Sequence, residues 1–212
     1  NIDPHHRVAI AVLILVQRTV RQTIERLVRE FQPDVVGLSV MTFQRHTAMH
    51  VIEFIRTLKP GIRIVVGGYD PSLAVDAYTD NSGVDFIVRG EGELTFRELL
   101  RAIESGGDYG AIAGLSYRSS DGFRHNPDRP ISSLEGAEIR PPRRDARVLQ
   151  GYTMLGRPVD VVETSRGCTF DCSFCSIIEM RGRNFFTYHM SRVIADIRDA
   201  HDKAARAIFL VD

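Results

Sequence analysis

Three cysteines, Cys168, Cys172 and Cys175, fall within eight positions, and the chain holds no others. An odd set so closely spaced cannot staple distant loops through disulfides. Thiolates are soft ligands suited to iron–sulfur clusters, zinc or copper(I). The stretch runs Glu163-Thr-Ser-Arg-Gly-Cys168-Thr-Phe-Asp-Cys172-Ser-Phe-Cys175, so the spacing is three residues and then two. A loop of that length can wrap a cubane and give each of three irons one thiolate. A 4Fe–4S cluster held by protein alone takes four ligands, so one iron stays open to an outside molecule. A zinc site completed by His189 is a competing reading, although zinc sites more often use CxxC pairs and no second pair exists here. Three unligated thiols in a loop are the remaining one. Val159–Thr164 reads as a short, mostly apolar strand. The cysteines follow its C-terminal end, where barrels and open α/β sheets place their chemistry.

The remaining composition narrows the class. The 212 residues suffice for one large or two small domains, and 43% hydrophobic with 25% charged residues supports a packed core rather than disorder. Lys+Arg and Asp+Glu both total 27, which gives no global pull toward nucleic acid or anionic membrane. The apolar run Val8–Val16 has nine residues, too short to span a bilayer, and no secretory cleavage pattern follows it. Sparse cysteines and an oxygen-sensitive cluster together favour a reducing cytoplasm. The chain begins at Asn1 and ends inside the apolar pattern Phe209-Leu-Val-Asp212. It therefore reads as a piece of a longer protein, expected to be inactive alone.

Residues 1–112 alternate strands and helices. Arg7–Leu15 is predicted as a strand, with one long helix through residue 31 as the competing reading. Residues 19–31 follow as a helix by the spacing of Ile24, Leu27, Val28 and Phe31. Then come a strand over 34–40 expected to be buried on both faces, a helix over 44–58, a strand over 62–66, a short helix over 71–79, a strand over 84–88 and a helix over 94–105. Short strands alternating with helices imply a parallel sheet with right-handed crossovers. Its ligand crevice lies beyond the strand C-termini, which puts 39–42, 67–70 and 90–93 on one rim. Residues 113–150 read as a hairpin around Ser120-Asp-Gly122 and then a linker holding four of the nine prolines. Arg140, Arg143, Arg144 and Arg147 in it read as a solvated or interdomain salt-bridged strip rather than a nucleic-acid patch, since no aromatic residues interleave them as nucleic-acid binding would want. Residues 151–212 give strand, cysteine loop, a basic-aromatic loop over 180–186, an amphipathic helix over 188–204 and a strand over 207–211, the opening of a β/α barrel. Arg181 and Arg183 either meet an anionic ligand group or brace the loop.

The CxxxCxxC spacing resembles the radical S-adenosylmethionine superfamily. The resemblance implies that Cys168, Cys172 and Cys175 ligate a 4Fe–4S cluster, that the open iron chelates S-adenosylmethionine, and that Phe174 flanks the adenine. One electron from the cluster would then release a 5′-deoxyadenosyl radical. Pro33-Asp-Val-Val-Gly-Leu-Ser39, Val65-Val-Gly-Gly68 and Val84-Asp-Phe-Ile-Val-Arg-Gly-Glu-Gly-Glu93 are similar to the cobalamin-binding domain that precedes many of these enzymes. By that resemblance Ser39, Gly67 and Gly68 line the pocket for the cobalamin nucleotide tail, with Glu91 and Glu93 on the same rim as further contact candidates. The physical alternative for Glu93 is a favourable charge at a helix N-terminus. The Asp-x-His-x-x-Gly motif that supplies a lower cobalt ligand in other cobalamin proteins is absent, and position 69 is Tyr where the family carries a small residue or proline. The implied fold is α/β: a Rossmann-like (flavodoxin-like) parallel-sheet domain followed by the beginning of a partial TIM-type (β/α) barrel. The implied activity is cobalamin-dependent radical chemistry, first of all methyl transfer to an unactivated carbon or phosphorus centre; ring formation, methylthio transfer or a non-catalytic corrinoid-binding module are the rivals. The implied partners are a small-molecule or peptide substrate and an electron donor such as flavodoxin or ferredoxin.

Overall fold

A computed structural model of the chain describes residues 2–131, 134 and 139–211. Two compact units divide it: Arg21–Ile131 in one, and Asp3–Val20 with Ser132–Asp212 in the other. These units cut the chain differently from the segments anticipated from sequence. The hairpin of the expected linker joins the first sheet, and the N-terminal residues group with the cysteine-bearing part. Residues 132, 133 and 135–138 of that linker lie outside the described residues.

The first unit runs α1 (Val20–Phe31), β1 (Val35–Ser39), α2 (Arg45–Leu58), β2 (Arg63–Gly67), α3 (Tyr69–Leu73), α4 (Asp76–Thr79), β3 (Phe86–Val88), α5 (Gly92–Ser105), β4 (Leu115–Ser119) and β5 (Gly122–His125). Its five strands lie in sequence order. β1, β2 and β3 are parallel, and β4 and β5 join as an antiparallel hairpin. The architecture is Rossmann-like α/β with a mixed rather than wholly parallel sheet. A tight turn at 120–121 lets β5 return directly, where a parallel strand would need a crossover. β2, flanked by β1 and β3, is buried on both faces. Val65 joins Phe86, Val88, Leu99, Ile112 and Leu115 in one apolar cluster, while Ile64 and Val66, fully buried, point to the opposite face by the two-residue period. β1 contradicts the expectation of two buried faces. It is the edge strand, and its residues are half-buried or exposed; only Val40 just beyond it is buried.

The expected strand over 7–15 is also corrected. Leu13–Thr19 is a 3-10 helix leading into α1, and the extended residues before it make one parallel bridge, Ile10 to Arg147. Val16, with φ −129° and ψ 34°, interrupts the helical path, so a single continuous helix does not form either. An apolar run alone cannot distinguish a strand from a helix when no neighbouring strand fixes a register.

In the second unit β6 (Thr153–Met154) pairs with β7 (Arg157–Glu163), and β8 (Ser165–Cys168) leads into the cysteine loop. α6 (Ser176–Arg181), β9 (Asn184–Thr187), α7 (Met190–Asp202) and β10 (Ala207–Val211) follow. β10 lies parallel to β7 along its whole length. β7, α7 and β10 thus form the strand–helix–strand unit from which β/α barrels are built. Val162, Tyr188, Val193, Leu134 and Ile139 form the apolar centre, with Ile197 and Ile208 against it. Residues 180–186, expected as a loop, instead close α6 and open β9.

Candidate functional site

The C-terminal ends of β1, β2 and β3 are in register. Ser39 pairs with Gly67, and Gly67 with Val88, so the predicted rim is one continuous row. Ser39 is exposed there. Gly68 has φ +96°, and a side chain on it would meet the Val40 backbone at 2.9 Å and the Ser39 hydroxyl at 3.0 Å. The constraint on Gly68 is therefore its own neighbour strand, a reason that sequence spacing did not supply. At Gly90, by contrast, a Cβ would meet nothing within 4 Å, whereas Gly92, the first residue of α5, packs close on Val88 at the end of β3. Glu91 immediately precedes α5 and Glu93 lies in its first turn, where negative charge suits the helix dipole. A glycine-bearing row at the C-terminal ends of parallel strands is where an α/β sheet takes its ligands.

Behind this rim lies a network that the sequence reading missed. Asp70, 2% exposed, accepts hydrogen bonds from Arg45 Nε and Nη2, each at 2.7 Å, and from the Tyr78 hydroxyl at 2.6 Å. Arg45 holds the Asp70 carboxyl down to about 2, against the opposing pull of burial, with Tyr78 and Thr42 assisting. Burial first, and then Asp70 itself, push the Tyr78 phenol well above its ordinary value. An acid with a lowered folded pKa contributes stability fully above its unfolded value of about 3.9 and loses it as pH falls through the folded value. Wild type is therefore expected to lose about 2 kcal/mol more than Asp70→Asn between pH 4 and 2. Guanidinium titrations at the two pH values measure this, and equal losses would exclude the pairing.

The cysteine loop is built on a two-stranded ladder. Ser165, Arg166, Gly167 and Cys168 pair with Thr187, Phe186, Phe185 and Asn184. Gly167 has φ +98°, and a Cβ there would overlap the Asn184 carbonyl, so the residue before the first cysteine must be glycine for β9 to approach. Glu163 anchors the ladder: Arg166 Nε donates to one carboxylate oxygen and the Tyr188 hydroxyl to the other, both at 2.8 Å. The Cys175 N–H closes a turn onto the Cys172 carbonyl at 3.0 Å. All three thiols are free; Cys172 is exposed and the other two half-buried. Three soft donors in one loop fit a polynuclear iron–sulfur group, whereas a structural zinc ion would take a fourth protein donor. His189 is engaged elsewhere, its ring accepting from the Ser191 N–H as the N-cap of α7. Phe174 is 90% exposed. Arg183 forms an ion pair with Asp171 inside the loop, the bracing alternative, and Arg181 is buried at the end of α6.

The arginines of the linker lie in ion pairs. Arg140 meets Asp3, Arg143 meets Asp145, and Arg144 and Arg147 both meet Asp160. No helix among the described residues is long and apolar enough to cross a membrane.

Residues 6–100, which include the three parallel strands and their glycine-bearing ends, match the B12 binding domain family. The chain carries a B12 binding domain and is similar to proteins named as cobalamin-dependent radical SAM methyltransferases, among them TokK of Streptomyces tokunonensis, 30% identical over 155 residues, covering 68% of this chain and 22% of that protein. It is 34% identical over 183 residues to an uncharacterized methyltransferase of Pyrococcus horikoshii, covering 84% of this chain and 39% of that protein. It is 33% identical over 150 residues to the 2-(S-pantetheinyl)-carbapenam-3-carboxylate methyltransferase of Streptantibioticus cattleyicolor, covering 68% of this chain and 22% of that protein. The chain thus spans well under half the length of these relatives. The radical S-adenosylmethionine methyltransferase TsrM of Kitasatospora setae, solved with cobalamin and a [4Fe-4S] cluster, shares the fold. Its TM-score is 0.74 at 20% identity, over 94% of this chain and 42% of that one.

Proposed function

We propose that this chain belongs to a cobalamin-dependent radical S-adenosylmethionine methyltransferase acting on an unactivated carbon or phosphorus centre. The observation that carries this reading is one chain holding both a B12 binding domain and three free thiols in an open loop beyond a barrel-type strand. Cys168, Cys172 and Cys175 would hold a 4Fe–4S cluster, and the exposed ring of Phe174 would lie against the adenine of S-adenosylmethionine. Ser39, Gly67 and Gly68 would border the cobalamin tail, with Glu91 and Glu93 beside it. When bound, these groups supply electron transfer and a transferable methyl group. The chain's own residues contribute shape. Gly167 and the Glu163–Arg166–Tyr188 contacts fix the strand from which the cysteine loop leaves, and the rim row leaves the tail an open approach.

The test is anaerobic purification of the full-length protein, followed by corrin absorbance, iron content and incubation with labelled S-adenosylmethionine and a reductant. Corrin and iron in near-equal amounts, with label in a methylated product, support the proposal. Cleavage of S-adenosylmethionine by a corrin-free protein would move the chain to the ring-forming or methylthio-transferring rivals. Gly68→Val is expected to reduce corrinoid affinity by at least tenfold, about 1.4 kcal/mol. The valine collides with Val40 and Ser39 and forces the rim loop out of its left-handed conformation. Unchanged affinity would remove Gly68 from the site.

A further inference from the structure

We infer that Asp70 and Ser72, two side chains of the single turn α3, are positioning residues that preorganise all three rim loops for the nucleotide tail of a corrinoid. The inference rests on the cobalamin reading above and assigns it a part of the chain that the motif residues leave out.

The three loops leave β1, β2 and β3 separately, and parallel strands provide no hydrogen bonds between loops beyond their ends. Each connection has to come from elsewhere. Asp70 ties the loop after β2 to Arg45 at the start of α2 and to Tyr78 in α4. Its own N–H donates to the Val40 carbonyl at 3.1 Å, and the Val40 N–H donates to the Gly67 carbonyl at 2.8 Å, which closes the loops after β1 and β2 on each other. Ser72 carries the chain of contacts onward. Its hydroxyl donates to the Gly68 carbonyl at 2.6 Å and accepts from the Gly90 N–H at 2.9 Å, joining the loop after β2 to the loop after β3. α3 therefore acts as a keystone, and Gly68, whose conformation is restricted by Val40 and Ser39, sits at its foot. A charged, bidentate Arg–carboxylate pair fixes the relative orientation of its two partners more tightly than a single hydrogen bond. A crevice whose loops are already fixed spares its ligand the cost of ordering them.

This arrangement has a control in the same unit. Arg56 does comparable work at the other ends of the strands, donating to the Gly83 and Ile62 carbonyls and to Asp85. Weakening it should lower stability while leaving the rim alone.

The experiment compares the full-length protein with Asp70→Asn, Tyr78→Phe, Ser72→Ala and Arg56→Lys. Each is titrated with hydroxocobalamin and with cobinamide, the corrinoid lacking the nucleotide tail, and each has its Tm recorded. Asp70→Asn is expected to weaken hydroxocobalamin binding by at least tenfold and cobinamide binding by less than twofold. Tyr78→Phe and Ser72→Ala should show the same selectivity at roughly threefold, and they carry the test if Asp70→Asn does not fold. Arg56→Lys should lower Tm with neither affinity changed. Equal losses for both corrinoids, or losses that track Tm across all four variants, would reduce Asp70 and Ser72 to structural residues and overturn the inference while leaving the cobalamin reading intact. Failure of the unaltered protein to bind either corrinoid would overturn both.

Discussion

Replacing any one of Cys168, Cys172 and Cys175 by alanine is expected to empty the protein of iron, while Phe174→Ala leaves the iron in place. Ligand number decides the outcome. A cubane takes one thiolate per protein-held iron, and this chain has no spare cysteine to substitute. Two thiolates leave two irons exposed to solvent, and the exposure of Cys172 gives water direct access. After anaerobic reconstitution, iron per chain in each cysteine variant should fall below about a tenth of wild type, and the signal of the reduced cluster in electron paramagnetic resonance should disappear. Phe174, with 90% of its surface exposed, packs against nothing that holds the loop. Its loss should instead weaken binding of S-adenosylmethionine. Stoichiometric zinc without iron in wild type would sink the cluster assignment outright. Retention of a full cluster after loss of one cysteine would mean that a ligand from elsewhere had been overlooked.

What the sequence displays and what it hides follow from the range of the interactions. The cysteine loop is local: its ligands lie within eight positions, so spacing alone suggests the chemistry. α2 and α5 are legible because Ile52 and Ile55, or Phe96, Leu99 and Ile103, repeat at helical spacing and point inward. β9 is not legible, because its four residues follow a basic stretch and its partner β8 is written over by the cysteine motif itself. The edge position of β1 is a property of the sheet order, and Val-Val-Gly-Leu-Ser reads the same at an edge as in the centre. Asp70 illustrates the harder case. In the chain it is an acid next to a proline; its partner Arg45 lies 25 residues away, and only the parallel pairing of β1 with β2 brings the two together. The arginine strip reads equally as solvated or as ion-paired from sequence, because the partners of Arg144 lie up to 55 residues away and no local pattern names them.

Arg144→Ala is expected to destabilise the unit containing β7 by roughly 3 kcal/mol, the low end of the range for breaking one side of a buried pair. The guanidinium is 2% exposed. Its Nε donates to Asp160 at 2.8 Å, and one Nη donates to Asp196 at 2.5 Å and Asp199 at 2.8 Å. It thereby fastens its own segment to both β7 and α7. Removing it leaves Asp196, 13% exposed, without this cation in a poorly solvated position. Asp199 is 45% exposed and returns largely to water. Asp160 keeps its two hydrogen bonds from Arg147, at 2.8 and 3.0 Å, which is why the loss stays near the low end. Arg144→Lys should recover only part of it, because an ammonium cannot reproduce a planar fork aimed at three carboxylates. The pH dependence has a definite sign. Burial pushes the Asp160 carboxyl up, but the bonds from Arg147, the Val161 N–H and Arg144 outweigh it and hold the group below its usual range. A lowered acid contributes in full above about pH 3.9 and progressively less below it. The stability gap between wild type and Arg144→Ala should therefore be constant from pH 8 to about 5 and narrow as the pH drops below about 4. Thermal melts across that range measure it. At neutral pH the melting transition of this unit should fall by more than about 10 °C. A gap under about 1 kcal/mol, the level of an exposed ion pair, would show that solvent reaches this network and that the apolar centre around Val162 holds β7 and α7 together without it.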